Sequence, residues 1–97
     1  MLLKMFAIYD SAARCYRTPF FLQEEGEAVR AVKNLVNDPQ TVMSQHPSDY
    51  SLFHVGAFDN ATGMCEPTEP KVVVQFAACV NRLAEGWSDP EFGQDRN

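Results

Sequence analysis

The chain has 97 residues, 45% hydrophobic and 22% charged, with a formal charge of −5. That length supports one domain with one core, and the composition excludes wholesale disorder. An acidic total also argues against general nucleic-acid binding, whose affinity comes largely from neutralised phosphates. The charge is unevenly spread. Residues 1–36 hold five bases (Lys4, Arg14, Arg17, Arg30, Lys33) against four acids, a net of +1. Residues 37–97 hold three bases against nine acids, a net of −6. A local basic face is therefore open to the first part of the chain only.

Residues 2–9, Leu-Leu-Lys-Met-Phe-Ala-Ile-Tyr, are apolar almost throughout, which predicts a strand covered on both faces or a central one. Asp10 to Ala13 supplies a turn, and residues 14–22 resume as an aromatic-rich strand. Pro19 has no N–H to donate, so that strand belongs at an edge or a bulge. Glu24, Glu25 and Glu27 open a helix over 26–36, where the helix dipole favours negative charge. Val29, Val32 and Val36 recur at helical spacing, flanked by Ala28 and Leu35, and are expected to face Phe6, Ile8 and Phe53 in the core. Asn37-Asp38-Pro39 ends the helix, because proline disfavours a helical conformation in the residue before it.

Residues 40–50 read as a loop with a helical turn at Val42-Met43. Tyr50 to Phe58 alternates as a strand, with Leu52, His54 and Gly56 on one face and Phe53, Val55 and Ala57 on the other. Asp59 to Gly63 is a strong turn signal, and Met64-Cys65 can begin a short return strand. Pro67 to Pro70 reads as a breaker. Beyond it Val73, Phe76, Ala77, Val80, Leu83 and Ala84 share a helical face, predicting a C-terminal helix over 71–85 stopped by Gly86. The run Val72-Val73-Val74 keeps a strand over 71–76 as the alternative. The expected fold is α+β. A single domain over 1–86 holds an antiparallel sheet of three to four strands, one long helix packed on a face and the C-terminal helix; residues 87–97 form an acidic tail with two hydrophobic anchors.

No Ser/His/Asp series, nucleophile elbow or phosphate-cradling glycine loop is present, so the chain reads as a non-enzyme with no cofactor. Cys15, Cys65 and Cys79 form no zinc spacing with His46 or His54 and are expected to be small apolar fillers. His46 before Pro47 reads as a turn residue and His54 as a hydrogen-bonded strand residue. The three glutamates suit a helix start better than a metal site. No secretory leader or membrane-spanning stretch is recognisable, which points to a cytosolic protein with reduced thiols.

One constellation suits a ligand: Arg14, Tyr16 and Arg17, followed by Phe20-Phe21, with Arg30 and Lys33 on the helix behind. Aromatic rings with nearby cations hold unpaired bases by stacking and phosphate contact. The competing reading makes the phenylalanines core and the arginines solvated edge charges that deter strand pairing. A homodimer is expected, through the Pro19 edge strand or the 71–85 helix, since so short a chain gains stability by burying surface against a copy of itself.

The ordered series Phe6-Ala7-Ile8-Tyr9-Asp10, Pro19-Phe20-Phe21, Asn37-Asp38-Pro39 and His46-Pro47-Ser48-Asp49-Tyr50-Ser51-Leu52-Phe53 resembles the small nonstructural protein of the gokushoviruses, single-stranded DNA phages of the Microviridae. The resemblance spans residues 5–60. It implies a protein absent from the virion, acting in the host cytoplasm late in infection. By analogy with the microvirus protein C, it implies a role in switching from duplex replication to single-stranded synthesis and packaging. Its partners would be phage replication or packaging proteins, or single-stranded DNA directly.

Overall fold

The computed structural model describes residues 1–81. A central strand, β1 (Leu2–Asp10), is apolar enough to sit between neighbours on both sides. On one side it pairs antiparallel with two short strands in series, β2 (Cys15–Tyr16) and β3 (Phe20–Leu22). On the other it pairs with β4 (Tyr50–Asp59), which in turn pairs with the outer strand β5 (Cys65–Gln75). The sheet thus has five strands where three to four were expected. Pro19 accounts for the extra one: lacking an N–H, it interrupts the ladder between β2 and β3 on an edge.

Helix α1 (Glu25–Val36) packs across one face of this sheet. At its start the Glu24 N–H donates to Glu27 Oε1 at 3.1 Å, satisfying one of the orphan donors. Its buried residues are Ala28, Val32 and Val36, an i, i+4, i+8 stripe, and Val29 lies half-buried at the margin instead of at the centre. They meet Phe6, Ile8, Leu52, Tyr50 and Phe76, with Met43 from the short helix α2 (Val42–Gln45) closing one end. Thr41 caps α2 by accepting from the Ser44 N–H at 3.2 Å, while its hydroxyl donates to the Leu35 carbonyl at 2.6 Å. A 3-10 turn over Pro47–Asp49 then delivers Tyr50 into the core.

Phe53 is not in that core. Opposite residues of an antiparallel pair share a face. Phe53 pairs with Ala7, and the rings of Tyr9 and Phe53 lie 6.1 Å apart on the side away from α1. The alternation in β4 also shifts parity. Phe6 pairs with His54 but Met5 with Gly56, so Val55 is the extra residue of a bulge. A bulge flips every later side chain to the other face. Ala57 joins the helix-covered side with Leu52 and His54, while Gly56 and Phe58 join Phe53.

The expected helix over 71–85 is not formed by its described residues: 71–75 belong to β5, and only a 3-10 turn follows at Phe76–Cys79. The strand alternative for this segment is the one observed. Three β-branched valines lose rotamer freedom in a helix, and β4 offers them an open ladder. Pro67 and Pro70 do not break the chain into a loop; as an outer strand, β5 tolerates missing donors, and residues 68–70 bulge opposite Val55. Residues 82–85, the remainder of that expected helix, and the 87–97 tail lie outside the described residues. Phe76 is fully buried beside Tyr50, with ring centroids 5.9 Å apart. Among the described residues no helix is long and apolar enough to cross a membrane.

Candidate interaction surface

The elements with helical backbone among residues 1–81 gather on one side of the sheet, around Val32 and Phe76. The register assigns the opposite face to Leu3, Met5, Ala7 and Tyr9 of β1, with Tyr16, Phe21, Phe53, Phe58 and Val72 from the neighbouring strands. The rings assemble in two groups. Tyr9 and Tyr16 approach at 4.9 Å between centroids, and Phe53 meets them at 6.1 and 5.5 Å, both as edge-to-face pairs. Phe21 and Phe58 meet at 5.6 Å farther along β1. Such separations and tilts suit the quadrupoles of aromatic rings. Ala7 lies between the rings and is only 3% exposed, although no helix covers it. Tyr16, Phe21 and Val72 stay 43%, 42% and 56% exposed.

The five residues singled out in the sequence divide between two sides. Tyr16 stands on the open aromatic face. Arg14 lies in the β1–β2 turn with a left-handed backbone, φ 58°, which Asp10 supports by accepting from the Ala12 and Ala13 N–H groups at 3.0 and 3.2 Å. Arg17 is exposed next to β2, its N–H donating to the Ile8 carbonyl at 2.8 Å. Arg30 and Lys33 are exposed on α1, the layer that covers the other side of the sheet. Tyr16 is therefore joined by Tyr9 and Phe53 and not by the helix cations. Neither partner stood out in the sequence. The signal that finds them is the β1–β4 register, in which Ala7 pairs with Phe53 and Tyr9 with Ser51.

Asn37 does more than end a helix. Its Nδ2 donates to the Lys33 carbonyl at 2.8 Å and to the Cys79 carbonyl at 3.1 Å, and its Oδ1 accepts from the Asn81 N–H at 2.7 Å. The side chain thereby ties the segment after β5 to the end of α1. A cavity of about 400 Å³ lies beside this clamp, lined by Lys33, Asn37 and residues 78–81.

The expected role of the cysteines as apolar filler fails at two positions. Cys15 and Cys65 are exposed, because each sits on an outer strand, and only Cys79 packs against the core. His54 also differs from its expected hydrogen-bonded role: among the described residues its buried Nε2 meets no partner, and its ring lies beside that of Phe6 at 5.6 Å. Among the described residues no three His, Cys, Asp or Glu side chains gather as a metal-binding group.

No curated protein and no solved structure matches the chain. A family model does: that of the Phage ORF5 protein family, over residues 3–79. The matched span takes in every strand and helix described above except Leu2 at the start of β1, and reaches the turn that buries Phe76. The chain belongs to the Phage ORF5 protein family.

Proposed function

We propose that this phage protein is a nonstructural regulator, the gokushovirus counterpart of the microvirus protein C, favouring the switch from duplex replication to single-stranded DNA synthesis and packaging. It acts without catalysis, by meeting phage replication or packaging proteins in the host cytoplasm. Membership of a phage family and the ordered motif series from Phe6 to Phe53 support the type of protein. One observation carries the choice of protein partners over DNA: the cations are dispersed. Arg30 and Lys33 lie on the helix layer and Tyr16 on the opposite face, within a chain of net charge −5. A strand of phosphates needs cations gathered along one groove.

Direct single-stranded DNA binding is the second reading, favoured by the exposed Tyr16 ring beside Tyr9 with Arg14 two residues away. Titration with single- and double-stranded oligonucleotides across a salt series separates the two. The regulator reading expects no salt-sensitive binding. Salt-sensitive capture of single strands, lost in the Arg14→Glu/Arg17→Glu double variant, favours the second. The switch itself is tested in infected cells: phage lacking this reading frame should accumulate duplex DNA and make less single-stranded DNA. An unchanged ratio of the two forms would overturn the role.

A further inference from the structure

The aromatic face described above leaves large rings in water although the other face has a complete core. Single exposed hydrophobics are ordinary, but a contiguous patch of this kind marks a contact surface. Three observations decide what covers it. None of the register-paired residues on this face carries a charge: they are Leu3, Met5, Ala7 and Tyr9 with their uncharged partners on β2 to β5. A two-fold contact sets each residue's surroundings against themselves, so a self-pairing face must be free of net charge, and in a −5 protein such a face is distinctive. Phosphate ligands find no cation among these paired residues.

The second observation is area. Four strand positions about 4.8 Å apart, and seven residues at about 3.3 Å each, span roughly 20 by 25 Å. That plane of roughly 500 Å², enlarged by side-chain relief, reaches the ~1,000 Å² total that a specific interface needs once two copies meet. The third concerns the edges. Pro19 interrupts one outer side of the sheet, and Pro67 and Pro70 with Glu66 and Glu69 occupy the other, so pairing edge to edge is obstructed.

We propose that the open face pairs with the same face of a second copy, forming a two-fold dimer with stacked sheets, interdigitated rings and the helices outermost. Face-to-face sheets lie about 10 Å apart, a gap that aromatic side chains from both sides fill. This association is independent of the regulatory role, and it leaves α1 free for other proteins.

Sedimentation equilibrium of the full chain from about 5 to about 500 µM tests it. The expected result is a species of twice the 10.9 kDa chain mass. Tyr16→Glu and Phe21→Glu place like charges across the two-fold at positions already exposed, so both should keep the parent's circular dichroism and associate at least about tenfold more weakly. Val72→Lys, on the outer strand, provides the same test should either variant misfold. Val42→Glu, on α2, should leave the mass unchanged. A parent that stays a single chain at the highest concentration overturns the proposal. So does a dimer that all three face variants leave intact, or a single-chain parent whose Tyr16 ring is shielded by an added oligonucleotide.

Discussion

Gly56 pairs with Pro67 across the β4–β5 bulge, and a β-carbon built there would lie 2.6 Å from the Glu66 carbonyl oxygen. Nothing flexible stands at that point; the obstacle is backbone. Gly56→Ala should therefore push β5 away from β4 and lower stability by about 1–3 kcal/mol, read from urea midpoints. Asp59 is a second residue with a measurable consequence. The Ala61 N–H, donating to its Oδ1 at 2.9 Å, holds its carboxyl below the ordinary value of 3.8. Desolvation opposes this, and the terminal ammonium at 3.6 Å and the Thr62 hydroxyl add smaller effects in the lowering direction. A depressed carboxyl contributes stability above its unfolded value and loses it as pH falls through the folded one. Melting temperature should accordingly drop on acidification below about pH 4, and Asp59→Asn should flatten that limb. A variant with an unchanged acid limb would count against the turn acting as described.

At the scale of elements, the segment after β5 depends on one side chain. Asn37→Ala removes the side-chain bonds to Lys33, Cys79 and Asn81 while leaving α1 its backbone ladder. Loss of these bonds at about 1 kcal/mol each should lower stability by about 2–3 kcal/mol, and amide exchange should rise at residues 79–81 before it rises in α1. The positions of β1, α1, the helical turn and β4 were legible in the sequence, because apolar periodicity and the Asn-Asp-Pro stop are local signals. The 71–76 segment was not. Val73, Phe76, Ala77 and Val80 have helical spacing, yet Val72 to Val74 pair with β4, a partner brought near only by the Asp59–Gly63 turn. There the tertiary ladder outweighed the local pattern.

At the scale of the fold, the largest fully buried side chains among the described residues, Phe6, Phe76, Leu52 and Val32, lie in one layer between sheet and helix. Val32 lies at the middle of that layer. Val32→Asp should abolish the cooperative thermal transition, since an unpaired carboxylate would be buried in a domain of marginal stability. A variant that melts within a degree or two of the parent would contradict this packing. The candidate surface was only half visible from sequence. Tyr16 was named for its neighbours Arg14 and Arg17, but its actual companions, Tyr9 and Phe53, come from strands that the sequence does not pair. Phe53 was expected in the core as a large apolar residue, yet alternation sets it opposite Leu52 and Tyr50, the residues of β4 that α1 covers.

The central place of β1 also has a kinetic side. Its partners β2 and β3 follow within a dozen residues, but its other neighbour, β4, begins only at Tyr50. During synthesis the first three strands can associate early, yet half of β1's ladder stays unfilled until residue 59 has been made. Closing that long loop must precede burial of Val32 and Phe76, so refolding of the isolated chain should take milliseconds to seconds, as for sheets with distant pairings. A microsecond phase accounting for the full amplitude would contradict it. Of the five strands, β1 is made before the others and is therefore among the last to have both its neighbours.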